Sequence, residues 1–194
     1  MSETNDSVIA YDSYIAALEK KLPPGRFLHT LGVLQSAMAL GNLYNADIKR
    51  LAICALLHDY AKGREEETLN HYSLDKQTIL KPGDYEFPAI WHGTISALLA
   101  KEEFKIEDQI ILDAIENHTL GHQDPSLELR VLMAADATEP TRSYPGVTEF
   151  RMLVRQDLDK GLLMILKSKN KHIEQSGRVA HPRMVETITW LTKR

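Results

Sequence analysis

The sequence predicts an all-α protein. Three features carry that prediction. Apolar residues recur at three- and four-residue intervals in several segments, Gly and Pro fall between those segments, and no stretch sustains an alternation of apolar and polar residues. A bundle of about eight or nine helices is expected, forming one domain over residues 1–194, a length that a single core can organise.

The first helix is expected over residues 8–20, with Ile9, Tyr14, Ile15 and Leu18 on one side, and Leu22-Pro23-Pro24-Gly25 ends it. A second should run from about Arg26 to Tyr44, with Leu31, Leu34, Met38 and Leu43 as its apolar side. Arg26 and His29, three apart, share a face. Asn45-Ala46-Asp47 supplies a turn and an N-cap for a third helix, which carries the apolar run 51–57 and the doublet His58-Asp59 and should end at Gly63. Residues 64–88 are less regular, with Pro82-Gly83-Asp84 as a turn and Pro88 as a breaker or first-turn residue. A helix resumes near Ile90 or Trp91 and runs to about Glu103, with His92 near its start. The next spans 107–118, where His118 extends the stripe of Ile111 and Ala114 or Ile115. Another spans 127–137, with Asp136 on the face of Leu129 and Leu132 or Met133. Residues 147–169 read as one long helix with Phe150, Leu153, Val154, Leu158, Leu162 and Ile165 inside. His181-Pro182 opens the last, with Val185, Ile188, Trp190 and Leu191 available for packing.

Composition excludes some functions. A net charge of −4 argues against broad binding of nucleic acid through its phosphates. The single cysteine, Cys54, permits no intrachain disulfide, fits a reducing compartment and sits in an apolar run as a packing residue. The polar start Met1-Ser2-Glu3-Thr4-Asn5-Asp6 lacks the pattern of a secretory signal. The uncharged stretch 30–46 is interrupted by Gly32, Gln35, Ser36, Gly41, Asn42 and Asn45, so it is not a membrane span. No contact with membrane is expected, and a cytoplasmic location is.

Four helices end, or nearly end, their apolar faces in a ligand-type residue: His29, His58-Asp59, His118 and Asp136, with His92 as a fifth station. A lone histidine there is usually a hydrogen-bonded core group, and a buried aspartate needs a partner for its charge. A shared divalent ion would partner all of them, since imidazole and carboxylate both suit first-row cations. Spacing leaves both readings open. His71, His122 and His172 lie in polar surroundings and read as surface residues, and Glu65-Glu66-Glu67 as a solvated face.

The order of these residues resembles the HD-domain metal-dependent phosphohydrolases. Arg26-Phe27-Leu28-His29, Leu56-Leu57-His58-Asp59-Tyr60-Ala61-Lys62, His92-Gly93, Asn117-His118-Thr119-Leu120-Gly121 and Ala135-Asp136-Ala137-Thr138-Glu139-Pro140-Thr141-Arg142 are similar in order and spacing to the YqeK-type branch, over residues 26–183. That branch hydrolyses diadenosine tetraphosphate symmetrically to two ADP. The resemblance implies an HD-domain helical bundle in which His29, His58, Asp59 and Asp136 hold a divalent metal, commonly iron, with cobalt or manganese as other candidates. It implies that Arg26, Lys62, His92, His118 and Arg142 line the nucleotide phosphates. His92 and His118 would instead hold a second ion if two bind. Residues 177–183 look like a late nucleotide-contacting loop, giving Val179, His181 and Arg183. The nucleotide-contacting set then also takes in His29, Asp59, Tyr60, Ala61, Asp136 and Ala137. The chain departs from the branch at Met184, where Thr is expected, and over residues 122–125.

The reaction implied is in-line attack of metal-bound hydroxide on an inner phosphorus, with ADP leaving. Asp59, Lys62, His92 and His118 are the expected catalytic residues, Asp59 as first candidate for the base. Arg142, Lys62, Arg26 and His181 have plain alternatives as cap, dipole or ion-pair residues. Tyr60, Trp91 and Tyr144 read as packing or support residues, with stacking on a base as the alternative. A dinucleoside polyphosphate substrate, ADP or GDP as product-like ligand and a homodimer are the expected partners. The alternatives are hydrolysis of another nucleotide, such as a nucleoside di- or triphosphate or a guanosine alarmone, and nucleotide binding without turnover.

Overall fold

A computed structural model describes residues 3–194, with side chains from Tyr11 onward. Among these residues there are eleven α-helices, one 3-10 turn (Pro88–Ile90) and no strand. None of the helices is long and apolar enough to cross a membrane. The all-α expectation holds, with more helices than predicted. The expected packing of Ile9 lies outside the described residues.

α1 (Glu3–Lys21) leads to α2 (Pro24–Tyr44), which packs against both α3 (Ile48–Leu57) and α8 (Leu127–Thr138). The buried face of α2 is not the predicted row of large side chains. Leu43 is exposed, whereas Gly32, Val33, Ala37, Leu40 and Gly41 are buried. Small residues let the helices approach closely, because a Cβ at Gly41 would strike Ile48 and Leu51, and one at Gly32 would meet the Glu139 carboxylate.

α3 ends at Leu57, six residues before Gly63, and corrects the expectation of a longer helix. Successive side chains on an α-helix point about 100° apart, so an unbroken helix would separate His58 from Asp59. Tight turns follow instead, with Tyr60 N donating to Leu57 O and Lys62 N to Asp59 O. Gly63 then adopts a positive φ of 80°.

The irregular stretch contains two short helices, α4 (Glu65–His71) and α5 (Lys76–Ile79). The three glutamates begin α4, where its dipole favours negative charge. α6 (Trp91–Phe104) and α7 (Gln109–Asn117) pack together, with Gly93 so close to the Glu116 carbonyl that a Cβ would lie 2.5 Å from its oxygen. The predicted helix 147–169 is two helices, α9 (Val147–Gln156) and α10 (Leu158–Gln175). Asp157 leaves helical geometry and its carboxylate accepts from Lys160 N at 3.0 Å, capping α10. Gly161 lets the start of α10 rest on the Val154 backbone. α11 (Pro182–Thr192) is capped by His181, whose Nδ1 accepts from Arg183 N at 3.1 Å. Val185 faces outward rather than into the core, while Met184, Thr187 and Leu191 are buried.

Candidate metal and phosphate site

The ends of α3 and α7 use the same device. His58 and His118 each follow the last helical residue, and each Nδ1 donates to the carbonyl three residues back, Ala55 and Ile115, at 2.7 Å. Both Nε2 atoms are thereby left as lone pairs aimed inward. His29, from α2, is held through Nδ1, which donates to the buried Glu139 carboxylate at 3.0 Å. His92 stands on the first turn of α6, its Nε2 3.2 Å from that of His118. The imidazoles form a row: ring centroids are 5.5 Å apart from His29 to His58, 5.0 Å from His58 to His118 and 5.1 Å from His118 to His92.

Two carboxylates face this row. Asp136, from α8, has Oδ1 3.1 Å from His29 Nε2. Asp59 divides its oxygens. Oδ2 lies 3.8 Å from His29 and 3.7 Å from His58, while Oδ1 lies 3.3 Å from His92 and 3.5 Å from His118. Among the described residues, His29 with His58 and Asp136, and His58 with Asp59 and His118, each present ligand atoms within 4.8 Å of one another. His58 Nε2 is buried without a hydrogen-bond partner. A wholly buried imidazole nitrogen left so is costly unless a cation completes it. The donor set, nitrogen and carboxylate oxygen, fits a divalent first-row ion.

The charges have settled to match. Burial would raise both carboxyl pKa values, but the surrounding imidazoles with Lys62 at Asp59, and with Arg142 at Asp136, hold both well below the usual range. Burial lowers His58 to about 4. Burial, with His118 and Lys62 adding to it, lowers His92 to about 2. For His29 burial acts downward, yet Asp136 and Glu139 outweigh it and the net shift is upward. The cluster therefore keeps two anionic carboxylates beside His58 and His92, which burial holds neutral, and ligation requires carboxylates and imidazoles in those forms.

Cations rim the cluster. Arg26 Nη1 donates to Asp59 Oδ2 at 2.7 Å and Lys62 Nζ to Asp59 Oδ1 at 3.1 Å. Arg142 donates to the Asp136 carboxylate at 2.7 Å and to its carbonyl at 2.9 Å. All three are partly exposed, as phosphate ligands must be.

The family model for the HD domain matches residues 26–141, from the rimming arginine to the turn beyond Asp136. The chain belongs to the HD domain family. This HD domain protein is 33% identical over 177 residues to the symmetrical bis(5'-nucleosyl)-tetraphosphatase of Bacillus subtilis, covering 91% of this chain and 95% of that one. It is 26% identical to the enzyme of the same name from Staphylococcus aureus, covering 89% of each. The crystal structure of a predicted HD superfamily hydrolase involved in NAD metabolism, from Clostridium acetobutylicum, superposes with a TM-score of 0.86 at 32% identity over 95% of this chain and 97% of that one. The HD domain implies binding of a divalent metal, and the buried cluster supplies the groups for it.

Several expected contacts need correction. Tyr60 is 1% exposed and its hydroxyl donates to Glu103 at 2.7 Å, so it offers no face to a base. Ala61 is wholly buried and its amide donates to Ser96 Oγ. Arg183 is engaged within the chain, pairing with Asp84 and donating to Asn117 Oδ1 at 2.7 Å. Trp91 packs as expected, 7% exposed, with its indole donating to the Asp84 carbonyl. Val179 is 81% exposed and lines, with His181 and Met184, a cavity of about 260 Å³ that reaches Thr119 beside His118. His181 pairs with Asp84 at 3.0 Å. Ala137 and Asp136 border a different cavity. His122 is half-buried against Asp113 rather than free at the surface.

Three residues escaped the sequence reading. Glu139 does pair with Arg142, at 3.7 Å, but it also orients His29, and Gly32 makes the space for it. Lys169 sits in a run of lysines with nothing to mark it, yet its Nζ donates to the Thr119 carbonyl at 3.1 Å beside the site. Arg151, from α9, donates to the carbonyls of Thr138, Glu139 and Arg142 at 2.7–2.8 Å and so holds the turn that carries Glu139 and Arg142.

Proposed function

We propose that this HD domain protein hydrolyses diadenosine tetraphosphate symmetrically to two ADP, as the names of its Bacillus and Staphylococcus relatives state of those enzymes. The observation that carries the reading is the buried row of four imidazoles and two carboxylates with Arg26, Lys62 and Arg142 around it. Such an arrangement suits a polyanion whose charge opposes attack on phosphorus. We assign one domain, 1–194, and a cytoplasmic setting, where nucleotides of this kind are found.

His29, His58, Asp59 and Asp136 would hold the metal, with iron, cobalt and manganese as candidates. The second oxygen of Asp59, facing His92 and His118, would serve a second ion if two bind. When bound, the ion polarises a phosphoryl oxygen and makes a water nucleophilic near neutral pH. The chain's own residues do the rest. Arg26 and Arg142 exchange a carboxylate for phosphate oxygens through their planar forks, and Lys62 adds a point charge. Asp59, held well below the ordinary carboxylate range, is a weak base, so its part is to ligate and to orient the attacking water. His118 Nε2, whose ring is fixed by the Ile115 carbonyl, is the atom placed to take a proton, with His92 Nε2 beside it. One nucleoside lies in the cavity lined by Phe87, Ile90, Val179 and His181. ADP or GDP would occupy the same place as product.

The test is product analysis. Protein loaded with iron or cobalt is expected to convert diadenosine tetraphosphate to ADP alone. AMP with ATP, or no cleavage, would overturn the reading.

A further inference from the structure

A second cavity, of about 600 Å³, opens at the other end of the imidazole row, between the segment after α8 and the face of α10. Its inner edge is Asp136, Ala137 and Arg142, and Asp136 is the carboxylate next to His29. The smaller cavity meets the row at Thr119, whose Oγ1 is 3.3 Å from both His92 and His118. Lys169 lines both cavities. Cleavage between the two central phosphates leaves a nucleoside diphosphate on each side of the broken P–O bond. The two nucleosides must therefore leave the row in different directions, and one cavity holds only one of them.

The larger cavity has the chemistry of a nucleoside site. Of the three aromatic residues singled out by sequence, Tyr60 and Trp91 are buried, and Tyr144 is the one with a free face, at 38% exposure. Its ring is fixed: the hydroxyl donates to the Ala137 carbonyl at 2.7 Å, and Phe150 lies behind it at 6.3 Å. Across the cavity, Ser168, Lys171 and Gln175 stand at helical intervals on one face of α10. The hydroxyl of Ser168 and the amide of Gln175 suit the edge of a base, and Lys169 and Lys171 suit the phosphates attached to that nucleoside.

We propose that this cavity binds the second nucleoside of the dinucleoside polyphosphate, with Tyr144 stacking on its base and Lys169 holding the phosphate chain between the two cavities. The proposal rests on the hydrolysis assigned above. It is tested with metal-loaded Tyr144→Ala and Ser168→Trp, the first removing the stacking face and the second filling the cavity from an exposed position. Each is expected to lower kcat/KM for diadenosine tetraphosphate by about ten-fold or more, through KM. Tyr144→Phe, which keeps the ring, is expected to recover most of the loss. In an ADP titration the wild-type chain should take up two ADP and Ser168→Trp one. Wild-type kcat/KM in Tyr144→Ala and in a folded Ser168→Trp overturns the proposal and leaves the hydrolysis intact. So does a Tyr144→Phe as impaired as Tyr144→Ala. Failure of the wild-type protein to make ADP overturns the hydrolysis, and the proposal with it.

Discussion

Glu139 Oε1 accepts the Nδ1 proton of His29 at 3.0 Å, and the carboxylate that does so is wholly buried. Its pKa is lowered: burial acts upward, but Thr141 and His29 outweigh it. The contact fixes which nitrogen of His29 is free for a metal. Glu139→Ala should therefore weaken metal binding by about 10–100-fold without unfolding the chain. Competition with a chelator measures this, and wild-type affinity would remove Glu139 from the site.

Asp136 is a more direct test of the ligand set. Asp136→Ala removes a carboxylate 3.1 Å from His29 and 2.7 Å from Arg142. Metal retention through gel filtration and turnover should both be lost. Preserved activity would refute the assignment.

Arg26 should act on substrate rather than on metal. A charged hydrogen bond to phosphate contributes about 1.5–3 kcal/mol, so Arg26→Ala should reduce kcat/KM about ten-fold or more while metal content stays near wild type. An equal loss of metal would mean that its pairing with Asp59 matters more than any contact with phosphate.

Gly93 tests the route by which His92 reaches His118. A methyl group there meets the Glu116 backbone oxygen, which cannot move as a flexible side chain can. Gly93→Ala is expected to cost about 1–3 kcal/mol in urea denaturation, with α6 displaced from α7. An unchanged midpoint would show that the helices have room to spare.

Acid should weaken the metal-free protein. In an unfolded chain His58 and His92 take up protons as the pH falls through about 6.5. In the folded chain they do so only near 4 and near 2. The unfolded state then binds more protons across this window, so stability falls as pH drops from about 6.5 to 4. His29, shifted upward, works the other way: its contribution is complete below 6.5 and is lost as the pH rises through its folded value. Asp59 and Asp136 add their own loss below about pH 4, as the pH falls towards their depressed values. The thermal midpoint of metal-free protein should decline steadily from pH 6.5 to 4, and a flat profile would contradict the buried, neutral imidazoles.

Much of the site was legible because its polar residues interrupt apolar stripes: His118 continues the stripe of Ile111 and Ile115, and Asp136 that of Leu129 and Leu132. Such interruptions need a partner, and sequence spacing records them. The face of α2 was not legible, because close packing through Gly32 and Gly41 leaves no row of large residues to read. The division of α9 from α10 turns on Asp157, an N-cap inside a stretch whose apolar period barely falters. Tyr60 follows the doublet directly, yet the turn after Leu57 sends its ring into the core against Phe104. The fate of a residue beside a ligand depends on where the helix stops, which periodicity does not encode.

The carbonyls gathered by Arg151 make this side chain a tie between α9 and the turn bearing Glu139 and Arg142. It touches neither the imidazoles nor the carboxylates opposite them. Yet if the tie were cut, the support of His29 and the guanidinium at Asp136 would drift together. Natural variation at Arg151 would then look in an assay like a poor metalloenzyme, although every ligand had been retained.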